Sequence, residues 1–398
     1  MDEFVEFSEP AGCFATIKDA FAKVGTGFFL IIIAFPLLFW NEGRAVKRAK
    51  DLAVGKGSVV SIEADKYDKQ HEGKLVHVTG PVSVEKNAVD TEFGVEAPAV
   101  VMRRVVEMYQ WKETKKTEKT KVEGKKKKKT TYRYNKEWSA TEINSSNFKK
   151  ATDHQNPAMP FKSKTFVAKK VTLGAYDVSD GLKKSWSAKD VHPLEEDDVA
   201  GFKPISRGEA SLNGNEIYYG DSAKPLIGDV RIRYEVALPG ETSIVAGVTG
   251  KSLGAYTSDK MNSTLALVEM GTKSADAMFQ KAESDNATMT WILRGLGFFM
   301  MFAGFRLIFG PFTALAGMVP LLGGLVEMGA SLVAGFLAVG LSFVTISVGW
   351  VFYRPLIGIP LLLLGMGVLG GGAFLAFKKF KEMQAKKKVN QPTFDGAV

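Results

Sequence analysis

The placement of apolar residues limits what this chain can fold into more than any motif does. One apolar span, Val24 to Trp40, lies near the N-terminus; residues 41–290 are mostly polar; from Trp291 to Phe377 the chain is apolar almost throughout. A helix needs about 20 apolar residues to match the hydrocarbon core of a bilayer. The layout therefore predicts a chain anchored in a membrane at both ends, with a water-soluble domain between the anchors. The mean hydropathy of −0.01 averages these two unlike parts and describes neither.

For the first span the competing reading is a cleaved secretory signal. Val24 to Trp40 is longer than a usual signal core, contains Pro36, and ends in Phe39-Trp40 rather than in a small-residue cleavage site. An uncleaved anchor is expected, followed by a basic helix, Asn41 to Ala49, leaving the bilayer at headgroup level. Further spans are expected at residues 295–310, 329–353 and 355–377. Residues 311–328, interrupted by Pro320, Gly323 and Gly324 and closed by Glu327, are too short and broken to cross alone and read as re-entrant or interfacial. The expected fold is a multi-pass α-helical membrane protein of four spans, with a large β-rich α+β soluble domain inserted between span 1 and spans 2–4. Its parts are a tail at 1–23, span 1 at 24–40, the soluble domain at 41–290, a membrane bundle at 291–377 and a basic tail at 378–398.

The net charge of +9 is concentrated between Lys115 and Lys129 and in the C-terminal tail. Beside membrane anchors, such clusters suit anionic lipid headgroups, so membrane lipids rather than nucleic acid are the expected partners. Orientation is contested by the same residues. Arg44, Lys47, Arg48 and Lys50 place the domain side of span 1 in the cytoplasm, and the lysines from Lys378 to Lys388 place the tail there too. Four spans cannot satisfy both, because three crossings separate domain from tail. A fifth crossing at 311–328 would satisfy both, but long domains translocate largely regardless of charge. The sequons at Asn144 and Asn262 are possible N-glycosylation sites and lean towards a lumenal domain; a third, at Asn286, lies too close to the membrane.

Within the soluble domain, Lys74–Thr79, Ala99–Trp111, Thr165–Leu173, Asp229–Val236, Ser243–Val248 and Leu265–Met270 are apolar and β-branched enough to read as strands. The lysine-rich stretch resembles the tip of a long solvated hairpin, and Gly271–Asn286 reads as a helix entering the second anchor. A tetrapeptide recurs, Leu173-Gly-Ala-Tyr176 and Leu253-Gly-Ala-Tyr256, hinting at two related β-modules.

Catalytic chemistry finds little to use. His71 and His77 on one strand would stand about 20 Å apart, and Cys13, the only cysteine, precedes the first span, leaving no zinc set and no disulfide in the domain. Glu195-Glu-Asp-Asp198, in an expected loop, lacks the spacing of a calcium loop. Gly250-Lys-Ser252 lacks the glycine a phosphate-binding loop needs four residues earlier, where Ala246 stands. No enzyme, catalytic residue, cofactor or metal is expected. Charges at membrane depth are costlier and mark function or snorkel to the interface. Arg306 and Glu327 are such charges, and they pair if 311–328 re-enters the bilayer. Ser331-x-x-x-Gly335 and Gly367-x-x-x-Gly371 have the spacing of close helix packing, within the bundle or between copies in a homo-oligomer.

Several runs together resemble one family. They are Asn41-Glu-Gly-Arg-Ala-Val46, the stretch from His71 to Gly80, Arg103-Arg-Val-Val-Glu-Met-Tyr-Gln-Trp111, Ile227-Gly-Asp-Val-Arg231, Thr290-Trp-Ile-Leu-Arg294 and Gly349-Trp-Val-Phe-Tyr-Arg-Pro355. In this order they resemble the transmembrane protein 43 (LUMA) family. The resemblance implies four spans, both termini in the cytoplasm or nucleoplasm, and the domain in the lumen of the endoplasmic reticulum or perinuclear space. It also implies residence in the reticulum and inner nuclear membrane, with emerin-like membrane proteins and, where present, lamina components as partners. The resulting reading is a non-enzymatic scaffold organising nuclear-envelope complexes through its lumenal domain and a self-associating bundle. The alternative is an oligomeric channel or transport-related protein with a path near Arg306 and Glu327. Against it stands a sparse polar lining, little beyond Ser342, Thr345 and Ser347.

Overall fold

The computed structural model describes residues 2–8, 13–122, 125–317 and 322–389. The tip of the lysine hairpin at 123–124, Pro320 and the end of the basic tail lie outside the described residues. The chain divides into two compact units, Met1–Pro10 with Asp51–Ala282, and Ala11–Lys50 with Glu283–Val398.

The first unit is β-rich, and the strand Val230–Ala237 shows why. Val230, Ile232, Tyr234 and Val236 are buried while Arg231, Arg233 and Glu235 are half-exposed, the period-two alternation of a strand with one covered face. It lies antiparallel to Val101–Val122 in a sheet that runs on through Glu216–Tyr219 to Ala210–Asn213. On the other side the sheet continues through Lys125–Ser139 to the N-terminal strand Asp2–Ser8. A second sheet pairs Glu241–Thr249 with Leu75–Lys86 and returns to it through Lys170–Leu173, Tyr176–Val178 and Ser252–Gly254, so the pairings close into a ring. Val78, Tyr176 and Ile244 from this ring share one core with Met102, Ile232 and Tyr234 from the first sheet. Removing such side chains from water, at about 25 cal/mol per Å², is the main drive for the fold.

Each expected strand is present with shifted ends, and one is divided. Thr165–Leu173 forms two strands, Lys164–Val167 and Lys170–Leu173. The break is held by Lys183, 3% exposed, whose ammonium donates to the carbonyls of Ala168 at 2.9 Å and Lys169 at 3.1 Å. The lysine-rich stretch is a two-stranded ribbon, in register from Met108 opposite Ser139 to Val122 opposite Lys125. Glu195–Asp198 is not a loop: Glu196–Val199 is a short helix, and Glu195 and Asp198 close its capping box. The repeated tetrapeptides differ in conformation, Gly174 turning at φ +55° between two strands while Gly254 ends a strand, so they do not mark equivalent modules.

The second unit is helical. Its helices are Cys13–Ser58, continuous through Pro36, then Ala275–Ile308, the short Gly310–Ala316, Leu322–Tyr353 and Pro355–Val389. Among the described residues three helices are long and apolar enough to cross a membrane, Ala15–Ser58, Ala275–Ile308 and Gly324–Tyr353, and the last helix adds a shorter apolar stretch, Pro355–Gly367. The expected span at 355–377 is therefore not among the three. In the expected broken segment at 311–328 two stretches of the described residues are helical. Residues 311–316 belong to the short helix, and 322–328 are the first turns of Leu322–Tyr353. Leu322, Leu325 and Met328 are strong helix formers, and two glycines cost only about 1 kcal/mol each against them.

Glycine brings the first two long helices together. A Cβ at Gly304 would sit 2.7 Å from the Gly27 carbonyl, one at Gly27 would sit 2.6 Å from the Gly304 carbonyl, and one at Gly297 would meet Leu38. Ala34, Leu38, Met301 and Ala338 form the core around this crossing. The glycines singled out by spacing do less inside the chain. Among the described residues, a Cβ at Gly335 would meet Phe302 alone, at 3.8 Å, and one at Gly367 or Gly371 would have nothing within 4 Å.

Candidate functional site

Three apolar helices end in a run containing a charged residue and an aromatic one, and in the helical unit these ends converge. Glu42 follows Trp40 at the end of the first apolar span, Arg294 follows Trp291 at the start of the second, and Trp350 precedes Arg354 at the end of the third. Glu42 is 1% exposed. Arg294 grips it bidentately, Nε to Oε1 and Nη2 to Oε2, both at 2.7 Å, and the Trp350 indole donates to Oε2 at 2.6 Å. The guanidinium also lies over the rings of Trp291 and Trp350, at 4.8 and 5.8 Å. A buried carboxylate is tolerable only when its lone pairs are met by charge and hydrogen bonds, and here one side chain from each of two other helices supplies them.

The neighbouring glycines make room. A Cβ at Gly349 would lie 3.0 Å from the Glu42 Cβ, and one at Gly43 would collide with the Tyr353 hydroxyl. A second polar layer lies towards the domain end of the same helices. Asn41 Nδ2 donates to the Thr290 carbonyl at 3.1 Å, Arg44 donates to Asn286 Oδ1 and Thr290 Oγ1, each at 3.0 Å, and Asn286 Nδ2 donates to the Ala45 carbonyl at 3.0 Å. Beside these bonds lies a cleft of about 260 Å³, lined by Ala45, Glu283, Trp291, Trp350 and Arg354 among others. Arg44, counted from sequence as a headgroup charge, is instead turned into the helix interface, and so is the sequon residue Asn286.

The cluster assembles three of the runs on which the family resemblance rests, Asn41–Val46, Thr290–Arg294 and Gly349–Pro355. Sequence reasoning missed Glu42 and Trp350 as site residues. The available signal was a charged residue within four positions of a tryptophan at each of three apolar ends, Glu42 by Trp40, Arg294 by Trp291 and Arg354 by Trp350.

The residues expected from sequence fall elsewhere. Arg306 Nη2 lies 3.5 Å from Glu327 Oε1, and its Nη1 donates to Ser331 Oγ, which itself donates to the Glu327 carbonyl at 2.7 Å. Both charges are more than a third exposed, so the pair is worth at most about 1 kcal/mol. Ser331 thus works as a hydrogen-bond partner, not as a packing notch. Asn144 is exposed and caps a 3₁₀ turn, its Oδ1 accepting from Ser146 N at 3.0 Å and Ser146 Oγ at 2.7 Å. Asn262 is exposed but tied to Asp51, to which its backbone and side-chain amides donate at 2.7 and 3.0 Å. The other family-like runs serve the β-rich unit. Arg104 is buried against Asp90 at 2.7 Å, Tyr234 donates to the same carboxylate at 2.8 Å, and Gln110 accepts from Ile143 N at 2.8 Å. Burial, then the Asp90 charge, push the Tyr234 phenol far above its ordinary pKa. No group of three or more His, Cys, Asp or Glu is gathered for a metal among the described residues.

Known proteins match along most of the chain. The family model for Transmembrane protein 43 matches residues 108–355. Transmembrane protein 43 of Mus musculus is 34% identical over 370 residues, covering 88% of this chain and 89% of its own length. The Homo sapiens protein of the same name is 32% identical over 372 residues, covering 88% and 90%, and the homolog in Drosophila melanogaster is 28% identical over 348 residues, covering 85% and 91%. No solved structure matches the chain.

Proposed function

Because the chain belongs to the transmembrane protein 43 family, we propose that this membrane protein is a non-enzymatic scaffold of the endoplasmic reticulum and inner nuclear membrane. In this reading it organises nuclear-envelope membrane proteins and, where present, lamina components through a lumenal β-rich domain and a bundle that associates with a second copy. The observation that carries it is the Glu42–Arg294–Trp350 cluster. Its buried carboxylate is met by side chains from two other helices and so ties three helices together, as a rigid platform requires. The exposed Gly367 and Gly371 offer a small-residue face for the second copy.

In the four-span reading the same cluster gathers three span ends on the domain side of the membrane, which the family resemblance takes to be the lumen. Glu42 ends span 1 and Arg294 begins span 2, so both lie on the domain side of the membrane. Trp350 bonds to Glu42, which brings the end of span 3 back to that side. Spans 2 and 3 then run in opposite directions, and the final helix, as the fourth span, takes the basic tail to the face opposite the domain. Next to the cluster, the cleft with Arg354, Glu283 and two tryptophans suits a lipid headgroup bearing phosphate and amine.

Crosslinking of the full chain in nuclear-envelope membranes tests the scaffold. Oligomers and complexes with resident membrane proteins are expected for the natural chain and should be lost in Glu42→Ala. A conductance in reconstituted bilayers that disappears in Arg306→Gln would instead establish the channel reading.

A further inference from the structure

The cleft beside the Glu42–Arg294–Trp350 cluster holds two charges that the cluster does not use. Its charged lining consists of Glu42, Glu283, Arg294 and Arg354. Glu42 and Arg294 neutralise each other through two hydrogen bonds of 2.7 Å. Glu283 and Arg354 are exposed, and neither side chain has an ion-pair or hydrogen-bond partner among the described residues. The cleft stays open because Ala45 and Ala49 on the first long helix and Ala287 on the second contribute only methyl groups to its wall. At about 260 Å³ it is smaller than the roughly 300–1,000 Å³ of a drug-sized site, so a compact group fits it.

The side chains around the cleft define the medium it faces. Trp40 and Trp291 are exposed, and so are Ile292, Leu296 and Phe299 further along the second long helix. On a spanning helix, exposed apolar side chains face lipid tails and exposed tryptophans mark the headgroup level. Glu283 precedes Arg294 by about three helical turns, on the polar side of that level, whereas Arg354 follows Trp350 by about one. The cleft therefore opens at the depth of a phospholipid headgroup, with its cation nearer the acyl chains and its anion farther into the water.

We propose, resting on the headgroup reading of this cleft, that it is a selective site for phosphatidylethanolamine. The Arg354 guanidinium donates to the phosphate, and the Glu283 carboxylate accepts from the primary ammonium. The order of charges agrees, since the ammonium is the outermost group of that headgroup and Glu283 the outermost charge of the cleft. Phosphatidylcholine brings the same phosphate, but its quaternary ammonium has no N–H to donate. Phosphatidylglycerol has no cation and would leave the Glu283 carboxylate unmatched beside a phosphate. The site is independent of which face of the membrane carries the cleft.

The test is native mass spectrometry of the full-length chain in mild detergent, titrated with dioleoyl phosphatidylethanolamine, phosphatidylcholine or phosphatidylglycerol. Phosphatidylethanolamine should bind tightest, about threefold ahead of phosphatidylcholine. Arg354→Gln should weaken both about tenfold, whereas Glu283→Gln should weaken phosphatidylethanolamine alone and erase its lead. Both substitutions are at exposed positions, and an unchanged melting temperature confirms that the fold is kept. Ala287→Leu, which fills the cleft without altering charge, should weaken both lipids. Equal binding of the two lipids, with both lost in Arg354→Gln, overturns the amine assignment and leaves the headgroup reading standing. Lipid binding that ignores Arg354→Gln and Ala287→Leu overturns the headgroup reading itself, and a preference for phosphatidylglycerol overturns the zwitterionic site. Glycerophosphoethanolamine, which lacks the chains, should bind far more weakly; equal binding would make the ligand a water-soluble phosphate ester. Crosslinked oligomers retained in Arg354→Gln would separate a failure of this site from a failure of the scaffold.

Discussion

A carboxylate buried at the end of an apolar helix persists only while its charge is met, so Glu42 is where a single substitution should tell most. Glu42→Ala strips the partner from a largely buried guanidinium and should cost about 3 kcal/mol, read as a lower melting temperature of the detergent-solubilised chain. Glu42→Ala with Arg294→Met removes both charges and should recover much of that loss; equal loss in the double variant would sink the assignment. The Asp90–Arg104–Tyr234 network follows the same rule, and Asp90→Ala should destabilise the β-rich unit by about 3 kcal/mol or more. His192 gives a pH signature of known sign. Burial holds its imidazole below the ordinary value of 6.5, with Asp198 opposing only in part. The unfolded chain takes up the proton first, so this contribution is intact above pH 6.5 and is lost as the pH falls from there towards the depressed folded value. Thermal melts between pH 7.5 and 5.5 should slope accordingly, and His192→Gln should flatten the slope. At this scale sequence and structure part company. Arg306 and Glu327 were legible because they interrupt apolar runs, whereas Glu42 stands at the edge of one, where a headgroup residue would also stand.

At the scale of elements, periodicity was a reliable guide and spacing was not. The alternation of Val230 to Val236 announces a strand, and the length of each apolar run announces a helix. Which glycines matter is another question, since a small-xxx-small spacing recurs wherever helices are rich in glycine. Only the partner helix distinguishes Gly304, packed on the Gly27 backbone, from Gly367, which faces open space. Gly304→Leu should therefore force the first two long helices apart and cost about 1–3 kcal/mol. Gly367→Leu should leave the melting temperature of the chain unchanged and act, if at all, on oligomer size in analytical ultracentrifugation. A lower melting temperature for Gly367→Leu alone would reverse this assignment. The acidic run Glu195 to Asp198 teaches a related lesson. Its residue types fit a solvated loop or a capping box equally, and the hydrogen bond from the Glu195 amide to Asp198 decides.

For the whole molecule the open quantity is the side of the membrane that holds the β-rich unit. Asn144 is exposed and its side-chain oxygen is held in a tight turn with the sequon hydroxyl, so in a lumenal domain it should be glycosylated. Microsomal expression should give a glycosidase-sensitive shift that disappears in Asn144→Gln. An unshifted chain would place the domain in the cytoplasm and require another crossing. The sequence by itself determined that apolar helices flank a polar, strand-rich domain, because bilayer thickness and strand pleating write their periods directly into local composition. Only the tertiary structure decided which helix ends meet, that Arg44 and Glu42 turn inward, and that an acidic terminal strand fills the edge of the basic ribbon. Those contacts join residues 252 and 308 positions apart at Glu42 and 130 apart at Arg133. Pairings at such separation leave no local trace, since any residue of suitable charge elsewhere in the chain could have satisfied the same group.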